Sequence, residues 1–228
     1  MKTADKYTPK NLEDVIYPNF ATRHRIKAYS CGHLEGHIML HGPNGTGKTT
    51  VAHLLATTLG GAQASKEECD FEDFLAKPKL RDYLLNAAAF AAMTSSGKHF
   101  LILNEFDKAR KGVAKLWTAL DQCGDGIMAI FTTNHPMEID RGIRSRCDLI
   151  EFPGITAAAV LPRVQTILKS ESLSLPDSQI LSYLKREEHA ADLRKYLKVV
   201  DVLLYLNSQG LSMPPWTPAT AKLSVVKR

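Results

Sequence analysis

Long hydrophobic runs are missing from this sequence of 228 residues. The longest uncharged stretch, residues 202–221, contains Asn, Gln, Gly and three Pro residues, so it cannot cross a bilayer as one unbroken helix. The lysines of the first ten residues are not followed by an apolar run, which argues against a secretory signal. We therefore expect a protein that is neither membrane-spanning nor secreted.

Cysteine pairs of the zinc-binding kind are also missing. The chain has four cysteines, and no two of them form a C-x-x-C pair, so we expect free thiols in a reducing compartment. Internal repeats and low-complexity blocks are absent. With 44% hydrophobic and 23% charged residues, the composition excludes a disordered or collagen-like chain. The net charge of +5 is compatible with a nucleic-acid partner but does not by itself indicate one.

Short apolar runs alternate with helical patterns over the first two thirds of the chain. The runs at residues 37–41, 100–103, 127–133 and 148–152 predict buried strands, and the patterns at 48–59, 79–95 and 112–122 predict helices. Residues 62–77 are acidic and weakly patterned. The alternation predicts an α/β fold, in which a parallel sheet carries helices on both faces. Because the run from Leu84 to Met93 is nearly all apolar, we expect helix 79–95 to be buried on most sides.

Three helical patterns without an intervening strand follow Pro153-Gly154. They occupy residues 156–170, 177–188 and 191–207, and they predict a small all-helical lid domain. The proline-rich segment from Gly210 predicts an extended or loose end. We therefore expect an α/β domain over residues 1–154, the helical lid over 155–208 and a flexible tail over 209–228.

A glycine-rich motif lies between the first predicted strand and the first predicted helix. Its sequence, GPNGTGKT at residues 42–49, matches G-x-x-x-x-G-K-[ST] at every position. Phosphate oxygens need several converging backbone N–H donors, and a Cβ would block their approach, so the glycines favour a phosphate-binding loop. We expect Lys48 to bridge the β- and γ-phosphates and Thr49 to ligate Mg²⁺. The residues predicted to bind the nucleotide here are Gly42, Pro43, Asn44, Gly45, Thr46, Gly47, Lys48, Thr49 and Thr50.

Polar side chains follow two further predicted strands. Asn104 and Glu105 stand where a nucleotide hydrolase places one acid for the metal and a second for the attacking water. We expect both to serve the metal site, where Asn104 offers an oxygen without the charge and Glu105 also activates water. Asn134, at the end of the next strand, is expected to hold that water or the γ-phosphate. A strand that merely ends in a polar turn is the alternative for both segments.

Arginines complete the candidate set. Arg141, Arg144 and Arg146 lie within six residues of one another, and one of them could reach a phosphate bound by the next subunit as an arginine finger. A solvated basic turn is the alternative. Arg194, two residues after Asp192, could reach the γ-phosphate from the small domain, and a capped helix start with a solvated arginine is the alternative.

These signals, in this order, resemble the AAA+ ATPases, and among them the clamp loader small subunits of the replication factor C type, including the phage form. The resemblance covers residues 5–207. It rests on KYTP at residues 6–9, LEDVI at 12–16, GPNGTGKTT at 42–50, LILNEFDK at 101–108, TTN at 132–134, SRC at 145–147 and DLR at 192–194.

The resemblance implies an oligomeric ATPase that hydrolyses ATP with Mg²⁺ at subunit interfaces. It implies that the adenine lies near Tyr7, Pro9, Val15 and Ile16. It further implies that Asn134 is sensor 1, Arg194 is sensor 2 and Arg146 is the finger acting in trans. The resulting catalytic set is Lys48, Glu105, Asn134, Arg146 and Arg194.

The resemblance also implies partners and a place of action. The partners are copies of this chain in a ring or spiral, or related AAA+ subunits, together with DNA and a sliding clamp or another replication or recombination protein. The place is the cytoplasm, or the host cytoplasm for a virus-encoded protein. In this family, the segments that face the ring's channel touch DNA phosphates. The matching basic residues, for which a solvated basic face is the alternative, are Lys79, Arg81, Lys108, Arg110 and Lys111.

Three departures from the family pattern keep a second hypothesis open. Thr8 stands where the family usually has Arg, Asn104 replaces the metal-side Asp, and we expect no helical collar after the lid. We therefore expect assembly to rest on nucleotide-dependent contacts or on another protein. The alternative function is a nucleotide-dependent matchmaker for DNA or protein, of the helicase-loader or transposition-regulator type, with weak hydrolysis.

Overall fold

A computed structural model describes residues 3–106, 113–139 and 141–211. These residues group into two compact units. The first contains the described residues between 9 and 154, and the second contains residues 3–8 together with residues 155–211. In the described part of the chain, no helix is both long enough and apolar enough to cross a membrane.

The first unit is built on a parallel sheet of five strands. The strands are His37–His41 (β1), Ser65–Asp70 (β2), His99–Asn104 (β3), Ile127–Thr133 (β4) and Cys147–Glu151 (β5). Their order across the sheet is β2-β3-β4-β1-β5. Because all four strand pairs are parallel, the loops that follow β1, β3 and β4 emerge side by side at the carboxyl edge of the sheet.

The helices alternate with the strands and then continue alone. In chain order they are Thr3–Lys6 (α1), Phe20–Ser30 (α2), Lys48–Gly60 (α3), Phe71–Leu75 (α4), Leu80–Ala91 (α5), Val113–Cys123 (α6), Arg141–Arg144 (α7), Ala157–Ser170 (α8), Asp177–Leu184 (α9) and Leu193–Ser208 (α10). Short 3-10 helices occupy Leu12–Asp14, Gly124–Gly126, Pro136–Glu138 and Lys185–Ala190.

Each face of the sheet carries its own apolar core, because successive side chains of a strand point to opposite faces. On one face, α2 and α3 cover β1, β3 and β4, and Val51 and Ile102 belong to this core. On the other face, α4, α5 and α6 cover the sheet, and Trp117 lies 5.6 Å from Phe131 between ring centroids. The predicted α/β fold with helices on both faces is therefore confirmed.

The second unit is helical. Helices α8, α9 and α10 bury Val164, Tyr183 and Val200 among one another. The hydroxyl of Tyr196 donates to the carbonyl oxygen of Ile155 at 2.9 Å, which ties α10 to the segment that precedes α8. Helix α1 joins this unit as well, since the backbone N–H of Thr3 donates to a carboxylate oxygen of Asp201 at 2.9 Å.

Two features of the first unit differ from the sequence expectation. Helix α5 ends at Ala91, and the prediction that it is buried on most sides is wrong: Phe90 and Met93 are 66% and 86% exposed. Alanine counts as apolar in a pattern, but its single methyl group does not require burial, and only the face with Leu84 meets the sheet. Residues 62–77 contain β2 and α4, because a charged strand can be held at the edge of a sheet by backbone pairing with β3 alone.

Candidate functional site

The loop between β1 and α3 uses glycine where another residue would not fit. Gly42, Gly45 and Gly47 have φ angles of +139°, +73° and +90°. A Cβ on Gly42 would lie 2.0 Å from the carbonyl oxygen of Phe152. Gly47 directly precedes α3, whose first N–H groups have no partner within the helix. The loop thus brings backbone N–H groups that no Cβ covers and the positive end of α3 to one point, as an anion-binding site requires.

Lys48 joins this loop to the end of β4. Its side chain is buried, and its ammonium group donates to the carbonyl oxygens of Gly42 at 2.7 Å and Pro43 at 2.8 Å. It also donates to Oδ1 of Asn134 at 3.0 Å. These three contacts hold the ammonium group between the loop and the end of β4. Two of the predicted catalytic residues are therefore in direct contact.

The imidazole of His41 lies at the end of β1, directly before this loop. Burial is the main cause that lowers the pKa of His41; Glu151 opposes the change and Lys48 adds to it. A lowered pKa keeps this ring neutral at pH 7. The positive charge beside the loop at that pH therefore comes from Lys48 and not from the neighbouring histidine.

Thr49 and Asn104 meet at a second point of the same edge. The hydroxyl of Thr49 donates to Oδ1 of Asn104 at 3.2 Å, and the hydroxyl of buried Thr132 donates to the same oxygen at 2.9 Å. Among the described residues, no group of three His, Cys, Asp or Glu side chains could hold a metal ion. Mg²⁺ bound with a nucleotide needs only one or two protein oxygens beside phosphate and water, and Thr49 with Asn104 fits that requirement.

Glu105 follows β3 in a conformation that is unusual for a residue with a side chain. Its φ is +54°, in the left-handed region, which costs about 1 kcal/mol or more and is often found at functional sites. The next residue, Phe106, is buried, with ring centroids 4.3 Å from Phe71 and 4.7 Å from Phe131. The packing of Phe106 fixes the turn that follows β3. The side chain of Glu105, which is exposed, therefore lies at the end of β3 next to Asn104.

The arginines that precede β5 have different surroundings. The exposed side chain of Arg146 donates from Nη1 to the carbonyl oxygen of Gly142 at 2.8 Å. Arg144 is half-buried, and its Nη1 lies 3.4 Å from the sulfur of Met137. An arginine finger must be accessible to a neighbouring subunit, which Arg146 and Arg141 satisfy better than Arg144. The action of Arg146 in trans stays a prediction.

Two candidate residues belong to the helical unit. The hydroxyl of Tyr7 donates to Oε1 of Glu171 at 2.7 Å and lies 2.6 Å from Oγ of Ser170. Arg194 forms an ion pair with Asp192 at 2.9 Å, and the carboxylate of Asp192 also accepts the backbone N–H of Arg194 at the start of α10. These contacts match the helix cap that was the alternative for Arg194. Its role as sensor 2 stays a prediction.

The other residues expected near the adenine belong to the first unit. Val15 is half-buried and packs against the core between the sheet and helices α2 and α3, and Pro9 and Ile16 are half-buried as well. The adenine site stays a prediction. For DNA contacts, Lys79 and Arg81 are exposed where α5 begins, whereas Lys108, Arg110 and Lys111 lie outside the described residues.

One functional candidate was missed by the sequence analysis. Glu68, on β2, accepts a hydrogen bond from Nδ2 of Asn104 at 2.6 Å. The segment around Glu68 has no apolar alternation, so the sequence did not predict a strand there and gave no reason to place its carboxylate beside β3. The only feature of the sequence that could have indicated Glu68 was its negative charge within a segment that has few apolar residues.

Comparison with known proteins places this geometry in a family. The model of the AAA family, described as ATPases associated with various cellular activities, matches residues 38–154, which include β1, the loop, β3, β4 and β5. A solved variant of RuvB from Thermotoga maritima has a TM-score of 0.70 with 18% identity, over 90% of this chain and 68% of that chain. At this identity the likeness concerns the fold alone.

Curated relatives are replication proteins. The chain is 28% identical over 209 residues to the sliding-clamp-loader large subunit of Escherichia phage RB69, covering 86% of the chain and 62% of the relative. It is 24% identical over 209 residues to the replication factor C small subunit of Aeropyrum pernix, covering 90% and 63%. The chain thus spans about three fifths of the length of these relatives. Because the family model matches more than half of its residues, this chain belongs to the AAA family of ATPases.

Proposed function

We propose that this chain binds ATP with Mg²⁺ on the loop at residues 42–49 and hydrolyses it at subunit interfaces of an oligomer, as a clamp-loader-like protein that acts on DNA or on DNA-bound proteins. The observation that carries the proposal is the position of Lys48, which lies buried between the loop and Asn134. The similarity to clamp-loader subunits supports the choice of client.

The residues of the site have distinct roles in this proposal. Lys48 and the amides of the loop bind the β- and γ-phosphates, and the oxygens of Thr49 and Asn104 face the metal. Glu105 orients the attacking water and accepts its proton, and Asn134 holds that water in line with the γ-phosphate. Mg²⁺, when bound with the nucleotide, neutralises charge on the phosphate oxygens.

Replacement of the loop lysine tests the proposal. We expect Lys48→Ala to lose ATP hydrolysis by about 100-fold or more, since one preorganised charge at a phosphoryl-transfer site is removed. The matched control is Lys27→Ala, which removes an exposed lysine from α2 in the same unit. Binding of a fluorescent ATP analogue and phosphate release are measured on both. Equal binding and turnover by Lys48→Ala and the parent would show that the nucleotide site is elsewhere.

The size of the particle tests the oligomer and its client. We expect ATP to convert the protein into a larger ring or spiral, and duplex DNA to favour that form. Light scattering with ATP, with ADP, and with or without DNA measures this change. A particle that stays monomeric under every condition and hydrolyses ATP at the full rate would contradict the interface site while leaving the phosphate-binding loop in place.

Salt dependence tests contact between DNA and α5. Each Lys or Arg that contacts a DNA phosphate adds about 0.9 to the slope of log affinity against log salt concentration. We expect the double variant Lys79→Ala with Arg81→Ala to lower the slope by about 2, with little effect on sequence preference. The control removes two exposed cations from α2, Arg23→Ala with Lys27→Ala. An unchanged slope in the first variant would exclude this surface as the DNA contact.

The neutral side chain of Asn104 favours a second candidate function. An ATPase with a carboxylate at this position would place a full negative charge at the metal. Asn104 has a neutral amide oxygen there instead, which accepts a hydrogen bond from Thr49. A matchmaker that binds ATP and releases it slowly needs tight binding more than fast hydrolysis. Single-turnover experiments with DNA separate the two candidates: a clamp-loader-like ATPase hydrolyses its bound ATP when DNA is added, and a matchmaker retains it.

A further inference from the structure

The carboxylate of Glu68 is held between two other elements at the carboxyl edge of the sheet. Its Oε1 accepts a hydrogen bond from Nδ2 of Asn104 at 2.6 Å, and its Oε2 lies 2.6 Å from Nε2 of His53. His53 is one helical turn after Thr49 on α3, and the hydroxyl of Thr49 in turn donates to Asn104. The four side chains therefore form a row of contacts that begins and ends on α3 and passes through β3 and β2. The turn of α3 between Thr49 and His53 completes this circuit.

The circuit fixes which way the amide of Asn104 faces. A carboxylate has only acceptors, so the neighbour of Glu68 must be the NH₂ group of Asn104. The amide oxygen is thereby turned toward the hydroxyls of Thr49 and Thr132. Without Glu68, nothing in this circuit would prevent the amide from rotating by half a turn, because hydroxyl groups can donate or accept. A rotated amide would present hydrogen atoms instead of an oxygen to a cation.

The circuit also places the negative charge of Glu68 beside the neutral side chain of Asn104. The amide of Asn104 is neutral, and a divalent cation held by oxygens is stabilised by nearby carboxylates that contact its ligands. Glu68 contacts Asn104 directly and is 38% exposed, so it remains accessible to water and to ions.

We propose, on the basis of the proposed ATP site, that Glu68 is a positioning residue for Mg²⁺. In this arrangement Asn104 supplies the ligand oxygen, and Glu68 both orients that oxygen and supplies the negative charge. Glu68 on β2 and Asn104 on β3 together then provide the negative charge and the ligand oxygen that a single carboxylate on one strand would provide. This division accounts for an amide at the metal position of an ATPase.

The neighbouring residue on β2 provides a matched control. Glu67 points to the other side of the strand, where its carboxylate pairs with Lys77 at 2.8 Å and accepts a hydrogen bond from the hydroxyl of Tyr83. Glu67→Gln and Glu68→Gln remove the same charge from the same strand. Only Glu68→Gln removes it from the contact with Asn104.

The test is a titration of Mg²⁺ against the affinity for a fluorescent ATP analogue, a measurement that requires no turnover. For Glu68→Gln we expect the Mg²⁺ concentration at half-maximal affinity to rise about tenfold, the lower end of what loss of a supporting contact costs a metal site. Glu67→Gln should stay within about twofold of the parent on the same scale. Thermal melting without nucleotide verifies that each variant is folded.

An exchange of the two groups provides the decisive variant. Asn104→Asp alone puts two carboxylates in contact, so we expect no gain in Mg²⁺ affinity. In the double variant Glu68→Gln with Asn104→Asp, the new amide donates to the new carboxylate, and the charge is restored one hydrogen bond closer to the metal. We expect this exchange to return the Mg²⁺ requirement to that of the parent or below it.

Two results would overturn the proposal. The first is a Mg²⁺ requirement of Glu68→Gln that equals that of Glu67→Gln. The second is a double variant that needs as much Mg²⁺ as Glu68→Gln alone. Both presuppose a parent that binds the analogue in a Lys48-dependent way. If Lys48→Ala binds as well as the parent, the proposed ATP site fails, and with it the basis of this inference.

Discussion

The ammonium group of Lys48 lies 3.0 Å from the side-chain oxygen of Asn134, although 86 residues separate the two in the sequence. The contact exists because β1 and β4 are neighbours in the sheet, with His41 opposite Thr133. The loop after β1 therefore begins beside the residue that ends β4. Any group that Lys48 binds lies within reach of the amide of Asn134.

Substitution of Asn134 should affect turnover more than binding. In Asn134→Ala, Lys48 keeps its contacts with the loop carbonyls, so we expect the affinity for ATP to change by less than about threefold, while kcat falls by about 100-fold because a preorganised polar group is lost. Asn134→Asp is the informative companion, since it keeps an acceptor for Lys48 and removes the NH₂ donor. Steady-state kinetics give both constants. A raised KM with an unchanged kcat would assign Asn134 to binding alone.

The central strands of the first unit were predictable from the sequence for a physical reason. A strand covered by helices on both faces is apolar along its whole length, and the run at residues 127–133 coincides with β4. The run at 148–152 is shifted by one residue from β5, an edge strand in which only Cys147 and Ile150 are buried. The strands that position the loop, Asn104 and Asn134 could therefore be placed before the structure was known.

The edge of the sheet was not predictable in the same way. Strand β2 exposes every second residue and has the sequence SKEECD, so hydrophobic periodicity gives no signal. Its place in the sheet depends on backbone pairing with β3, which puts Asp70 opposite Asn104. The contact between Glu68 and Asn104 follows from that register. Side chains that reach the site from an edge strand were for this reason invisible to the sequence analysis.

Mixing of two inactive variants tests whether the site is shared between subunits. Arg146→Ala keeps its own Glu105, and Glu105→Gln keeps the arginine that a neighbour would use. In a ring of randomly mixed subunits in equal amounts, about one interface in four would combine both intact groups. We expect the mixture to recover a corresponding part of the parent's ATPase rate, measured by phosphate release at constant total protein.

A control with two defects on the same side of the interface completes that experiment. Lys48→Ala and Glu105→Gln both damage the subunit that binds the nucleotide, so their mixture contains no intact interface and should stay inactive. Recovery in this control would point to exchange or contamination instead of a shared site. Absence of recovery in the mixture that contains Arg146→Ala would refute its action in trans.

Gly42 is expected to tolerate no side chain. A Cβ there would meet the carbonyl oxygen of Phe152 at 2.0 Å, and that segment is itself tied to β1 by the bond from the backbone N–H of Phe152 to the oxygen of His41 at 2.7 Å. We expect Gly42→Ala to lower the free energy of unfolding by about 3 kcal/mol, because both overpacking and backbone strain contribute.

The control for Gly42 separates strain from collision. Gly97 also has a positive φ, +63°, but a Cβ there would have nothing within 4 Å. Gly97→Ala should therefore cost only about 1 kcal/mol, the strain of the left-handed conformation. Urea unfolding of the two variants and the parent measures the difference. Equal losses would show that the approach of Phe152 is relieved by a small movement of the backbone.

His37 should make the fold sensitive to mild acid. Its Nδ1 accepts a hydrogen bond from the backbone N–H of Ala129 at 3.1 Å, and burial lowers the pKa of the ring, an effect that Asp121 only partly offsets. Because this pKa is lowered in the folded chain, the unfolded chain binds a proton on His37 more readily than the folded chain does as the pH falls below about 6.5. Stability therefore falls with the pH in that range, by at most about 1.4 kcal/mol per pH unit for this group, and is unaffected by it above pH 7.

A neutral acceptor at position 37 isolates that contribution. His37→Gln removes the titration at this position. Between pH 7.5 and pH 5.5 its free energy of unfolding should therefore fall less than that of the parent, and the difference should be at most about 1.4 kcal/mol. His33→Gln, at an exposed position of the loop before β1, is the control and should follow the parent. Urea unfolding at the two pH values provides the comparison. If the parent and His37→Gln lose the same stability, protonation of His37 makes no measurable contribution, and other groups cause the acid sensitivity.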